Sequence, residues 1–395
     1  MKLLSAAFVI ATSALAVLIA PGSVQAQTPA SSIFQVVPTP NPNFNNGILA
    51  SSATSPTDIW AVGQSTMHYD GTKWTSFPAA MIHGDNTSYL AGVVNISPTL
   101  AWAGGTVGIG LGTPGQVIEQ WNGTKWNVFP GPNFGPGDQP SIKAMASTSA
   151  NDIWAIGSLL ADSGQELFFL FEHWDGKAWT ATSSLSGDAF LLGASADATN
   201  DAWAVGFNGP ENDSSRTLAM HFDGTSWRTS NTPSVGSGAN QLNAVLALAS
   251  NDVWAVGFST PVAPPKQAAT LNLIEHFDGT KWSVVPSPNV GPNSIYQSNR
   301  LLGLTANSPT DIWAFGSFFL ADGSGQQHTL LLHWDGTSWT IQPSPNPTKK
   351  SVNFVSDLLY TGVVPSPGNV WILGAEDEAP NDGTMAIHTT VGANF

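Results

Sequence analysis

The 395-residue sequence has no cysteine, three arginines, four tyrosines and only 10% charged residues. The missing cysteine excludes disulfides, thiolate zinc sites, iron–sulfur clusters and a cysteine nucleophile. The charged fraction is far below the roughly 25% of an ordinary soluble domain. Acidic side chains outnumber basic ones 27 to 12, a formal charge of −15. A chain with so few cations has no basic face to displace phosphate counterions, which excludes nucleic acid as a partner. What the sequence has instead is 42% hydrophobic residues, enough for a core, and 16 tryptophans.

The one long apolar run is at the start. Lys2 gives a short positive segment, Leu3 to Ala20 is apolar or small, Pro21-Gly22 breaks the run, and Val24-Gln25-Ala26 is a small-x-small cleavage pattern. Residues 1–26 therefore read as a signal peptide, with a mature chain from Gln27 exported to the periplasm or the exterior. No membrane span is expected after cleavage. The remainder, 27–395, reads as one domain expected to be a monomer.

That domain repeats. Asp58-Ile59-Trp60-Ala61-Val62-Gly63 recurs as Asp152 to Gly157, Asp252 to Gly257 and Asp311 to Gly316, and its tryptophan falls at 60, 102, 154, 203, 254, 313 and 371. A second phrase, His68-Tyr69-Asp70-Gly71-Thr72-Lys73-Trp74, follows in each of the first six copies. The two phrases account for all 16 tryptophans. Each copy predicts four short strands, with the third and fourth joined through Asp-Gly as a two-residue type I′ hairpin, as at Asp278-Gly279. Such units define a β-propeller. The expectation is a seven-bladed β-propeller of four-stranded antiparallel blades, at about 45–80, 88–133, 141–184, 189–235, 241–289, 300–346 and 356–391. The last copy lacks a fourth strand, and residues 32–39 supply one. Phe34 to Asn41 matches Trp282 to Asn289, so the N-terminal strand is expected to complete the last blade and close the ring.

Six histidines at one repeat position invite a metal site, but a ring holds equivalent positions tens of ångströms apart, whereas zinc ligands lie about 2 Å from the ion. The pairing geometry favours a structural clasp. The Asp that opens the second strand and the His that ends the third lie at one end of an antiparallel pair. Asp58 with His68, Asp152 with His173, Asp201 with His221, Asp252 with His276 and Asp311 with His333 form the series. Copy two lacks both partners, having Leu100 and Gln120, and copy seven pairs Asn369 with His388.

Repeat length, the glycine that ends each second strand (Gly63, Gly105, Gly157, Gly206, Gly257, Gly316, Gly374) and the later tryptophan resemble the kelch-like class of secreted bacterial propellers. The pattern departs from kelch in lacking a Gly-Gly pair outside Gly104-Gly105. Tectonin-type lectins are similar in their Trp-Ala-Val phrases but have shorter repeats. The Asp-Gly elements are placed like the Asp box of sialidase propellers, yet the spacing differs and an arginine cluster is missing. Galactose oxidase needs a cysteine.

The turns from strand one to two and from three to four hardly vary between copies, whereas the other two connections do, and these variable connections share one face. Variable loops on a constant frame carry function. The residues placed on that face include Tyr296, Arg300, Asp188, His83, Asp322 and His328. The expected function is that of a secreted, non-enzymatic binding or scaffold propeller recognising a protein or glycan ligand over this face. The alternative is a carbohydrate-active hydrolase or lyase with carboxylates near the axis. No cofactor is expected. The acidic loops would also suit calcium.

Overall fold

Each repeat runs from a small-residue strand to a strand apolar on every side, then to two alternating strands. Asp58–Gly63 is buried along its whole length, the mark of a strand covered on both faces. A computed structural model describes residues 33–43, 46–80, 88–108, 115–162, 164, 166–209, 214–262, 269–291, 298–319, 326–347, 356–378 and 381–389. The signal-peptide reading of residues 1–26 lies outside them. Among the described residues, no helix is long and apolar enough to cross a membrane.

After β1 (Phe34–Val36), unit one has β2 (Ile48–Ser55), β3 (Asp58–Gly63), β4 (Thr66–Tyr69) and β5 (Trp74–Ser76). Unit two has β6 (Tyr89–Ser97), β7 (Leu100–Val107), β8 (Gly115–Trp121) and β9 (Trp126–Val128). Unit three has β10 (Gln139–Ser149), β11 (Asp152–Leu160), β12 (Leu167–Trp174) and β13 (Trp179–Leu185). Unit four has β14 (Ala189–Ala198), β15 (Asp201–Asn208), β16 (Arg216–Phe222) and β17 (Trp227–Ser230). Unit five has β18 (Asn240–Ala249), β19 (Asp252–Ser259), β20 (Leu271–Phe277) and β21 (Trp282–Val284). Unit six has β22 (Ser298–Ser308), β23 (Asp311–Phe319), β24 (Gln327–Trp334) and β25 (Trp339–Ile341). Unit seven has β26 (Ser356–Ser366), β27 (Asn369–Glu378) and β28 (Asn381–Thr389).

The expectation of seven separate blades is corrected. Units one to five are discrete four-stranded blades, but units six and seven run together with β1 into one eight-stranded sheet. The join is a parallel contact between Gln327 of β24 and Ser356 of β26, reinforced by the Ser356 hydroxyl donating to Gln327 Oε1 at 2.9 Å. Its physical cause is general to the architecture. The third strand of one unit begins beside the first strand of the next, as where Asn240 N–H donates to Ser215 O and Asn299 N–H to Thr270 O, both at 2.9 Å.

Neighbouring units are locked through tryptophan. Trp60 packs on Trp121 and Trp126 of unit two, with ring centroids 4.7 and 4.9 Å away. Trp102 meets Trp174 and Trp179, Trp154 meets Phe222 and Trp227, and Trp203 meets Phe277 and Trp282. Trp254 meets Trp334 and Trp339, and Trp313 meets Phe34 edge-on at 5.2 Å. Trp371 meets Tyr69 and Trp74 of unit one, so the last unit packs on the first. The N-terminal strand β1 pairs antiparallel with β28, Phe34 opposite Thr389. Asn41 Oδ1 also accepts the Thr384 N–H at 2.7 Å.

That last contact is itself repeated. Asn289 accepts from Asn272 N–H at 2.8 Å and Asn346 from Thr329 N–H at 2.7 Å. In these three units the asparagine after the Pro-rich exit thus satisfies an amide of the third strand, a role Ser234 Oγ takes for Thr217 N–H in unit four.

The Asp-Gly connection differs from a two-residue hairpin. Phe277 pairs with Trp282, so Asp278 to Lys281 form a four-residue loop. Asp278 Oδ1 accepts the amides of Thr280 and Lys281 at 2.9 and 3.0 Å. This side-chain acceptance of nearby amides offers the chain an alternative to a primed turn. Gly279 supplies φ of 89°, in the left-handed region open to glycine. The same amide contacts in unit one, led by the Thr72 hydroxyl, hold the Asp70 carboxyl down at about 2.

Five of the fourth strands are cut short by proline, whereas unit four, with Asn231 at that position, also stops at Ser230. Pro38, Pro78, Pro130, Pro286 and Pro343 each stand four residues after the strand's opening aromatic. The preceding N–H, as in Phe77 to Thr66 O at 3.0 Å, points into the sheet. The proline therefore occupies the position whose N–H would face outward, which removes an edge donor. Unit three has Ser183 there, and β13 extends to Leu185, which is 65% exposed. Ser186 N–H donates inward to Leu167 O at 2.9 Å, which fixes the alternation: Thr182 donates inward and Ser183 outward. Ser183→Pro should change unfolding free energy by less than about 1 kcal/mol, whereas Thr182→Pro should lose at least a ladder bond, roughly 1 kcal/mol or more. Denaturant unfolding of the two variants checks this, and equal losses would refute the assignment.

Candidate functional site

The glycine that ends each second strand determines what lines the axis. A Cβ on Gly63 would lie 2.0 Å from Gly47 O, and one on Gly257 would lie 1.9 Å from Gln241 O. Only glycine permits this approach. Directly opposite, every innermost strand carries a one-residue bulge, as between Ile142 and Ala144 or Leu242 and Ala244. A bulge leaves one residue outside the ladder and re-aims it. The bulged residues are Leu49, Ala91, Lys143, Leu192, Asn243, Leu302 and Tyr360, and all seven line one cavity of about 500 Å³ on the axis. The backbone is constant; the chemistry of the ring is not.

Among the described residues, Lys143 is the only charged side chain in that lining. Its Nζ donates to Tyr89 Oη at 2.8 Å and lies 5.4 Å from the centre of the Tyr89 ring. Two units on, Gln241 Nε2 donates to Asn243 Oδ1 at 2.7 Å, and Asn243 Nδ2 donates to Leu301 O at 2.6 Å. A lobe of about 280 Å³ adjoins the cavity at Tyr89, Leu49 and Tyr360 and continues past Gln64 and Ser356. Lys143, Tyr89, Gln241 and Asn243 were not singled out by the sequence argument. The signal for them was present: each follows or precedes by one the aliphatic residue opposite a repeat glycine.

Of the six residues expected on the variable face, the three that are described, Arg300, Asp188 and His328, stand at separate places. Arg300 stands at the strand position of Tyr89 and Gln241, next to the aliphatic residue opposite the repeat glycine, with its guanidinium stacked over Phe258 at 4.4 Å. Asp188 is exposed just before β14, where its carbonyl accepts Gly209 N–H at 3.1 Å. His328 lies on β24 against the Phe318 ring, away from the cavity lining. Tyr296, His83 and Asp322 lie outside the described residues. Among the described residues, no group of three or more His, Asp or Glu side chains could hold a metal.

The Asp and His side chains of the repeats meet at the outer end of each seam. His68, His173, His221, His276 and His333 donate through Nε2 to Asp58, Asp152, Asp201, Asp252 and Asp311 at 2.7, 2.6, 2.8, 2.8 and 2.8 Å. His388 donates to Asn369 Oδ1 at 2.7 Å. Each imidazole also packs on its own unit's tryptophan, stacked at 4.1 Å between centroids for His388 on Trp371 and tilted at 4.7 Å for His68 on Trp60. The pair therefore orients the indole that enters the next unit. Burial pushes the Asp58 carboxyl up, but hydrogen bonds from His68, Thr54 and Asn95 outweigh it and leave the carboxyl below its ordinary value of 3.8. Its stabilisation is present above that value and is lost as pH falls through the folded one. Asp58→Ala should cost about 1–3 kcal/mol at neutral pH and less in acid. Unfolding curves at both pH values check this; a cost that does not shrink in acid would contradict it.

Three seams hide a glutamate. Glu119, Glu172 and Glu275 occupy one repeat position and are 0% exposed. Ala80 N–H donates to Glu119 Oε2 at 2.8 Å. The residues equivalent to Ala80 in units two and four are Pro132 and Pro233, which have no N–H to give. Glu172 and Glu275 accordingly make no hydrogen bond of ordinary geometry. Burial pushes both carboxyls up to about 8, eased only slightly by Gln116 and Thr217. Between pH 4.5 and 8 the unfolded chain ionises while the folded one keeps its protons, so stability falls as pH rises through that window. Glu172→Gln should remove part of this slope, raising Tm at pH 8 with little change at pH 4. Melts at the two pH values test this; a pH-independent difference would refute it.

No family model and no curated protein matches the chain. Solved structures do match in fold. "YCF48 bound to D1 peptide" is similar over 92% of this chain and 99% of its own, with a TM-score of 0.53 and 17% identity. "Structure of U3-55K" covers the same shares with a TM-score of 0.55 at 8% identity. "Crystal structure of RRP9 WD40 repeats" does so with a TM-score of 0.56 at 10% identity. The protein is thus an all-β propeller with WD40-like structural neighbours. These identities speak to fold alone, and a propeller hosts many functions.

Proposed function

We propose that the protein is a secreted, monomeric, non-enzymatic propeller of kelch-like type that binds a protein or glycan ligand at the mouth of its axial cavity, on the face of the variable loops. The observation that carries this reading is the lining of the cavity. It combines one cation, two amides, two phenols and several aliphatic side chains, and among the described residues it holds no carboxylate. A concave, mostly apolar site with a few fixed polar groups suits binding. A hydrolase working on glycosides needs two carboxylates flanking the bond, and this lining has none to offer. A protein of the same fold is known with a bound peptide, the D1 peptide, so the architecture accommodates such a ligand. The reading requires no cofactor, and it assigns any calcium to the acidic variable loops.

Glycan and peptide arrays together with a hydrolase and lyase panel test the proposal on the mature protein. Retention of a ligand without turnover is expected. Gln241→Ala and Arg300→Ala should each weaken it by about 1 kcal/mol or more with melting unchanged. Lys73→Ala and Lys281→Ala on the constant face should leave it intact. Turnover of any glycan, or retention lost only on the constant face, would sink the reading.

A further inference from the structure

We propose that the axial cavity is a carboxylate-binding site, in which Lys143 and Tyr89 hold the carboxylate and the leucines of the bulge ring receive the apolar group that bears it. This rests on the binding function proposed above and names the chemistry of its ligand.

Lys143 is held in the cavity by backbone geometry. It is the residue left outside the ladder by the bulge between Ile142 and Ala144, so its stem starts inside the ring. Among the described residues no carboxylate forms an ion pair with it, although acidic side chains outnumber basic ones 27 to 12. An ammonium has three donors, and one goes to Tyr89 Oη. That phenol, accepting from Lys143, keeps its own O–H to donate. The site thus presents adjacent donors from an ammonium and a phenol, a set that matches the two oxygens of a carboxylate.

The charge count selects the anion. One cation balances one negative charge. A phosphate monoester carries about −1.5 to −2 and would leave an excess in a chain whose formal charge is already −15. The rest of the ring selects what carries the carboxylate. Leu49, Leu192 and Leu302 occupy the same level as Lys143, and Val93 and Met145 lie in the same lining. The Gln241–Asn243–Leu301 chain of hydrogen bonds fixes an amide pair at the same level. A cavity of about 500 Å³ falls in the size range of small-molecule sites. The chemistry fits either the C-terminal residue of a peptide with an aliphatic side chain or a free aliphatic acid.

Titration calorimetry on the full mature chain separates these sources, using N-acetyl-alanyl-leucine, its C-terminal amide, hexanoate, hexanamide and trigalacturonate. Each carboxylate is expected to bind at least roughly tenfold more tightly than its amide, the ratio a single charge-assisted contact supplies. Lys143→Gln should abolish that ratio, and Lys143→Arg, which keeps the charge, should retain it. Tyr89→Phe should reduce it without affecting folding. Tighter binding of the dipeptide than of hexanoate assigns the site to peptide ends, and the reverse assigns it to free acids. Equal binding of acid and amide, a ratio unchanged in Lys143→Gln, or binding of trigalacturonate alone would overturn the proposal. A ligand found on the arrays that binds the wild type and Lys143→Gln alike would refute the carboxylate site while leaving the binding function standing. Tight carboxylate binding with no ligand on either array would support the carboxylate site and refute a protein or glycan as what occupies it.

Discussion

An indole from each unit, seated against aromatic side chains of the next, is the contact on which the assembly depends. A buried aromatic side chain removes about 150–250 Å² from water, worth several kcal/mol at about 25 cal/mol per Å². Such a term is large beside the few kcal/mol that hold an isolated four-stranded sheet together. Trp60, Trp102, Trp203, Trp313 and Trp371 are each 1% exposed, and each sits in a seam between neighbours. The polar features serve this contact. The histidine stacks on the indole, the aspartate fixes the histidine, and the Asx loop keeps the receiving aromatics in register.

With the seams set by tryptophan, the inner strands have little freedom and their backbones become nearly identical. The repeat glycine forces the partner strand close and the bulge follows from that approach. What varies most is the bulged side chain of each unit, projecting to the axis, together with the residue two before it. Lysine, asparagine, tyrosine and leucine can replace one another there without disturbing the seams, because none of them participates in the ladder. A frame of this kind separates stability from the chemistry of the axis: the residues that hold the ring and those that line the cavity are different sets.

Much of this is legible in the spacing of the sequence. The repeat, the strands, the match of Phe34 to Asn41 with a fourth strand and the Asp–His pairing all followed from spacing, because pairing geometry leaves few choices once the period is known. Two features were misjudged. Asp-Gly implies a two-residue turn by propensity, but the aspartate oxygen accepts two amides and stabilises a longer loop. The blade count assumed that sheets end where units end, and a single contact between Gln327 and Ser356 joined two of them. The site was harder to read. The chemistry of Asp188 and His328 draws the eye to the variable connections, whereas the axis is lined from within the innermost strands. Lys143 lies in a run of small apolar residues that reads as core, and only the bulge, invisible in a period-two pattern, turns it to the axis.

The packing of Trp371 on Tyr69 and Trp74 joins the two ends of the chain's path. In a linear array of repeats the terminal units fray, because each lacks one neighbour. Here every unit has two, and β1 ties the first residues of the ring to its last strand. No unit can leave without parting two seams at once, so partial opening is costly and loss of structure is concerted. The same closure makes the position of the termini arbitrary. A chain restarted at any of the exposed Asp-Gly loops, with the present ends joined, would meet the same set of seams.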